Sequence, residues 1–145
     1  MPTTDMLSIT VEHIVAFHEL DPMNVVWHGN YINFFELARA ALLNKIGLSY
    51  STMKELGYVW PVVKLNCKYI RSAQLGQKLA IRAEITDYRN TISMKFTIRD
   101  AEVGTLLTKG ETTQMAVHIA TGESCMVSPL CMQEIIDNYL SRCTS

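Results

Sequence analysis

Hydrophobic positions change their rhythm twice along this chain, and the changes mark out its elements. Between residues 29 and 46, in NYINFFELARAALLNKI, apolar side chains recur at helical spacing and cover most of the circumference. The spacing predicts a helix from 29 or 30 to 46, with Asn30 as its N-terminal cap and Gly47 as its stop. A helix apolar nearly all round is buried, so the rest of the chain must wrap it.

The flanking segments read as strands. Residues 8–19 alternate loosely and are rich in β-branched side chains, which predicts a first strand. Leu20-Asp21-Pro22-Met23-Asn24 breaks it. Proline fixes its own φ and keeps the residue before it out of the helical region, so Asp21 belongs to a shaped turn. A short helical patch at 50–56 leads into four more predicted strands at 58–70, 77–88, 91–99 and 105–119, the last bulged at Gly110. In the second of these, Leu79, Ile81, Ala83 and Ile85 alternate with polar neighbours. Arg89-Asn90 and residues 100–104 supply turns, and Ser128-Pro129 opens a C-terminal amphipathic helix through Leu140.

The order predicts a single α+β domain over residues 1–145, one long central helix against a five-stranded antiparallel sheet. One helix cannot cover so wide a sheet, and the sheet must end in open edges. A homodimer is therefore expected, with further pairing into a homotetramer.

Composition narrows the function classes. The 145 residues carry a net charge of −1, and no basic run suits nucleic acid or a membrane surface. The N-terminal MPTTDMLSIT has no charged-then-apolar leader, and no stretch approaches the roughly 18 apolar residues of a membrane span. A cytoplasmic location is expected. Cys67, Cys125, Cys131 and Cys143 form no CxxC pair, so ordinary reduced thiols are expected. His13, His18 and His118 share no metal spacing and read as structural.

Candidate chemistry concentrates in DPMNVVWHGNY, residues 21–31. It sets a carboxylate in a rigid turn just before the start of the apolar helix. Helix starts present free N–H groups and roughly half a positive charge, suited to the oxyanion that forms in acyl transfer. Gly29 beside them would let a substrate approach the backbone. Asp21 could attack a carbonyl or deprotonate a water. So weak a base suits thioesters, whose thiolate leaving group has a conjugate-acid pKa of about 8.5 and needs little protonation.

The run FHELDPMNVVWHGNYINFFELAR resembles the signature of hot-dog thioesterases of the 4-hydroxybenzoyl-CoA thioesterase type. That signature reads aromatic-x-x-x-Asp, a five-residue spacer containing Val-Val, aromatic-His-x-x-Tyr, then an aromatic-rich helix ending Glu-x-Ala-Arg. Asp21, Val25, Val26, His28, Tyr31, Glu36, Ala38 and Arg39 fall in register. Residues 68–77, KYIRSAQLGQ, are similar to a second family stretch, with Ser72 and Gln77 replacing its proline and aspartate. Further departures are Phe17 for tyrosine, the bulky Pro22-Met23-Asn24 spacer, and Trp27 for the commoner tyrosine.

The resemblance implies a hot-dog fold and hydrolysis of acyl-CoA or acyl-carrier-protein thioesters, with no cofactor beyond the coenzyme A of the substrate. It implies Asp21 as nucleophile or general base, with His28 as a second catalytic candidate. Backbone N–H groups at the helix start would polarise the carbonyl, and Gly29, Asn30, Tyr31 and Tyr69 would contact substrate. A non-catalytic acyl-thioester binder and a dehydratase or hydratase remain rival readings. Glu36 and Arg39 read first as a helical ion pair, with Glu36 a distant second candidate base. Lys64, Lys68 and Arg71 read as a solvated strand face that could meet coenzyme A phosphates. Tyr58 and Trp60 either line an acyl pocket or pack the sheet.

Overall fold

Alternation in the middle of the chain produces the sheet. In the computed structural model, which describes residues 6–144, five strands pair antiparallel throughout in the order β1-β4-β5-β6-β3. They are β1 (Ser8–Ile14), β3 (Val62–Tyr69), β4 (Lys78–Asp87), β5 (Ile92–Asp100) and β6 (Leu106–Gln114). A separate ribbon joins β2 (Tyr58–Val59) to β7 (Val117–His118). The helices are α1 (Asn30–Ile46), α2 (Tyr50–Glu55) and α3 (Leu130–Thr144).

Period-two patterning sorts each strand's side chains. Leu79, Ile81 and Ala83 of β4, with Ile92, Met94, Phe96 and Ile98 of β5, are all buried on the side that α1 covers. From α1, Phe34, Phe35, Ala38, Leu42 and Ile46 join them. The Phe35 ring stacks on Phe96 at 4.7 Å between centroids, 18° from parallel.

Several boundaries differ from the sequence reading. The first strand ends at Ile14, and Phe17–Glu19 instead form one 3-10 turn, because the Glu19 side chain bonds back to the Ala16 N–H. The predicted strands at 58–70 and 105–119 each divide in two. Pro61 has no N–H to give and lies at the first break. Gly110 is not a bulge, being in register with Cys67 on one side and Phe96 on the other. A Cβ there would lie 2.4 Å from the Phe35 ring, so Gly110 is the recess that lets α1 press on β6. The irregular registers fall instead between Val62 and Lys64, Ile85 and Asp87, and Ile98 and Arg99. Helix α1 is not buried all round, since Asn33, Glu36 and Leu37 are exposed. The C-terminal helix runs past Leu140. Residues 1–5, half of the N-terminal stretch read for a leader, lie outside the described residues.

Strand β3 is the exception to the burial pattern. It is an edge, and on its helix-facing side Leu65 and Tyr69 remain 43% and 47% exposed. No helix of the described residues is long and apolar enough to cross a membrane.

Replacing Gly110 by alanine tests the packing that sets the depth of α1. The Phe35 ring has no room to retreat because it is fully buried on Phe96. Chemical denaturation of Gly110→Ala is expected to show a loss of about 1–3 kcal/mol, the usual cost of overpacking.

Candidate active site

The site is built from the segment between β1 and α1. Glu19 secures its first turn, its Oε1 accepting the Ala16 N–H at 2.8 Å and facing His13 Nε2 at 2.9 Å. Burial raises the Glu19 pKa, but the Ala16 amide and His13 outweigh it and hold the carboxyl below its ordinary value. The backbone carbonyl of the same residue accepts two donors from the far side of the loop. These are the Trp27 N–H and the Asn30 Nδ2, each at 2.9 Å.

Between those anchors the chain folds back on itself. Leu20 bridges to Val26, the Asp21 N–H reaches the Val25 carbonyl at 2.8 Å, and the Asn24 N–H reaches the Asp21 carbonyl at 2.9 Å. Asn24 takes φ +64°, a left-handed conformation that asparagine tolerates. Asp21 Oδ1 accepts the Met23 N–H at 2.8 Å, which fixes the carboxylate's rotation. Its Oδ2 has no hydrogen-bond partner among the described residues.

The opposite wall comes from the end of β3 and the connection to β4. The Val26 N–H donates to the Ala73 carbonyl at 2.9 Å, and the Ala73 N–H donates to the Tyr31 hydroxyl at 2.9 Å. The Tyr69 hydroxyl donates to the His28 carbonyl at 3.0 Å. Burial, reinforced by the Cys67 thiol, pushes the Tyr69 pKa up to about 12, so this donor keeps its proton at any working pH. Tyr31 and Tyr69 meet edge to face at 5.3 Å, and His28 meets Tyr69 likewise at 6.3 Å.

Asp21, Val26, His28, Tyr31, Tyr69 and Arg71 thus share a pocket of about 200 Å³. Arg71 and Ser72 also line a larger polar groove of about 780 Å³, together with the 74–77 turn, Asp100 and Thr105. Among the described residues, no backbone carbonyl takes the His28 or Gly29 N–H. The pocket therefore brings an oriented carboxylate together with His28, whose amide just before the helix start no backbone carbonyl takes, and acyl transfer uses groups of these two kinds.

Two of the expected substrate contacts are differently employed. The Trp27 ring fills the space beside Gly29, where a Cβ would lie 2.3 Å from it, so the glycine makes room for this chain's own indole rather than for a ligand. Asn30 does not cap α1. Gly29 occupies the cap position, and Asn30 spends its amide on the Glu19 carbonyl and its oxygen on Asn33, because the loop's return brings that carbonyl within reach. Neither residue lines the pocket. Glu36 also lies outside it, paired with Arg39, whose buried guanidinium also meets Thr112 and sits 5.4 Å over the Phe96 ring. Among the described residues no histidine, cysteine or carboxylate cluster could hold a metal. The sequence reading missed Glu19, whose only signal was a carboxylate two residues before Asp21.

Comparison with known proteins places the chain in a family. The profile of the Thioesterase superfamily matches residues 23–106. The chain belongs to the thioesterase superfamily. It is 34% identical to the acyl-CoA thioester hydrolase YbgC of Escherichia coli O6:H1 over 99 residues, covering 67% of this chain and 72% of that one. It is 31% identical to the 4-hydroxybenzoyl-CoA thioesterase of Pseudomonas sp. (strain CBS-3) over 57% of this chain and 60% of the relative. A solved DHNA-CoA thioesterase from Staphylococcus aureus superposes with a TM-score of 0.75 at 31% identity, covering 82% of this chain and 80% of that one. The fold is the hot-dog fold of these thioesterases, as expected from the resemblance.

The His13–Glu19 contact gives a pH prediction. A carboxyl whose folded pKa is depressed adds stability above its unfolded value of about 4.3 and loses it as pH falls through the folded pKa. Thermal unfolding should therefore show wild type more stable than Glu19→Ala at neutral pH, with the gap closing below about pH 4. A gap independent of pH would remove the ionised carboxylate from the loop's support.

Proposed function

We propose that this protein hydrolyses acyl-CoA thioesters with Asp21 as the catalytic carboxylate. The observation that carries the reading is the shared pocket of Asp21 and His28, in which the carboxylate is oriented by the Met23 amide and the His28 N–H is unclaimed by any backbone carbonyl. The thioesterase names of the relatives support the reaction class.

In the proposed reaction the thioester carbonyl oxygen takes the His28 N–H, helped by the partial positive charge of the start of α1. Asp21 either attacks the carbonyl carbon through Oδ2, forming an anhydride that water then opens, or takes the proton from an attacking water. Both routes pass through a tetrahedral oxyanion, break the carbon–sulfur bond and release a thiolate with the free acid. The Tyr69 hydroxyl, bonded to the His28 carbonyl, holds that peptide in orientation. The His28 ring, between Trp27 and Tyr69, is proposed to contact the substrate.

The working form is proposed to be a homodimer joined along β3. Its open edge and the exposed Leu65 and Tyr69 leave one end of the sheet bare. A second copy would pair that edge and wall the pocket.

Purified protein assayed against acyl-CoAs of different chain length and aromaticity should release free thiol, and Asp21→Asn should lower kcat by about 10² to 10⁴. Equal turnover by the two would discard the assignment. Sedimentation should give a dimer, and Leu65→Asp should yield a monomer with reduced turnover. A fully active monomer would refute the shared site.

A further inference from the structure

One buried hydroxyl of the pocket has no part in the reaction described so far. Tyr31 is 3% exposed and lines the pocket beside Asp21. Its ring meets Phe34 edge to face at 5.9 Å and Tyr69 at 5.3 Å, which holds the hydroxyl in place. The phenol oxygen accepts the Ala73 N–H at 2.9 Å. A tyrosine hydroxyl donates as well as accepts, and among the described residues nothing takes this proton. A buried donor in that condition calls for an explanation.

The same pocket holds a complementary group. Asp21 Oδ1 is taken by the Met23 N–H, and Oδ2 is an acceptor with no donor among the described residues. Tyr31 and Asp21 share no hydrogen bond, although both line the same space of about 200 Å³. Burial pushes the Tyr31 pKa up against the pull of the Ala73 amide, and the Cys67 thiol and the Asp21 charge push it further. The hydroxyl therefore stays protonated at working pH, with Asp21, Cys67 and Tyr69 as its titratable neighbours. A spare donor and a spare acceptor in one small pocket suit a water molecule, which needs two to four polar partners.

We infer that Tyr31 and Asp21 together hold the hydrolytic water, and that Asp21 is a general base rather than a nucleophile. The inference rests on the thioesterase reading and chooses between its two routes. The water accepts the Tyr31 O–H with one lone pair and donates one proton to Asp21 Oδ2. Its second lone pair is then the one free to attack the thioester carbon. As the carbon–oxygen bond forms, the donated proton passes to Oδ2, and the carbonyl electron pair moves onto the oxygen beside the His28 N–H. Collapse of the oxyanion breaks the carbon–sulfur bond, and the sulfur leaves with the electron pair as a thiolate. Oδ2 then gives up its proton to solvent. Tyr31 keeps its own proton throughout, so its contribution is orientation, and misplacing a reacting group by about 1 Å costs about a hundredfold in rate. Direct attack by Oδ2 would leave the Tyr31 proton without a role.

The test follows an acyl-CoA that wild type hydrolyses. Tyr31→Phe should lower kcat about a hundredfold and leave KM within about twofold, because the water is positioned only for the chemical step. Phenylalanine also leaves the Ala73 N–H unpaired, so a second variant, Tyr31→difluorotyrosine, keeps the ring and its oxygen but ionises at lower pH. Its kcat should fall as the fluorinated phenol loses its proton, over a pH range where wild-type kcat is level. A Tyr31 that serves only to accept the Ala73 N–H would show no such fall, since a phenolate accepts better than a phenol. A pH profile like that of wild type, or an unchanged kcat in Tyr31→Phe, would overturn the inference. Turnover in ¹⁸O-labelled water, read by mass spectrometry, should put label in the released acid and none in the peptide carrying Asp21. Label in that peptide would mean that Asp21 attacked the carbonyl itself, which also overturns it. Failure of wild type to release thiol from any acyl-CoA would instead refute the thioesterase reading.

Discussion

The candidate site depends on a single carbonyl, that of Glu19. It accepts both the Trp27 N–H and the Asn30 side chain, so the last residues before the loop are tied to the first residues of α1. Everything between those points, Asp21 included, is held in a closed arch. The Glu19 carboxylate steadies the same turn from behind through Ala16 and His13. Such bonds matter because a carboxylate displaced by an ångström from a reacting carbon can lose about a hundredfold in rate. The arch also explains Gly29, which must be bare to let the Trp27 ring fold over it.

The position of α1 in turn depends on its contact with the sheet. Phe35 fits the bare backbone of Gly110 and stacks on Phe96, which brings the helix close to β6. Close approach on that side leaves β3 projecting beyond the helix, with apolar groups in the open. The same geometry that seats the helix therefore exposes the edge where a second copy is proposed to bind. Tyr69 ends that strand, and its hydroxyl on the His28 carbonyl links the edge to the start of α1.

Much of this was legible in the residues. The extent of α1 followed from its apolar spacing and Gly47, and β4 and β5 from clean alternation across a short turn. Asp21, His28 and Tyr31 were marked by the motif that resembles hot-dog thioesterases. Less was legible where one side chain decides the local path. Ala16 carries no side-chain cap signal, yet its N–H is held by Glu19, so the end of β1 could not be read from periodicity. Asn30 fits a capping residue by type, and only the return of the loop reveals that its amide is needed at Glu19. Gly110 looked like a bulge because a strand glycine usually marks one. The alternative, a ring from a helix 75 residues earlier in the chain, is a tertiary fact that no local pattern carries.

The central claim is that a thioester carbonyl lies between the Asp21 carboxylate and the amide of His28, and its bond order reports this directly. Isotope-edited infrared difference spectra of a carbonyl-¹³C acyl-CoA bound to slow Asp21→Asn protein would read it. The account predicts a C=O stretch shifted to lower frequency than in free solution, as donation from a backbone N–H weakens the double bond. A bound thioester with an unshifted carbonyl stretch would contradict it.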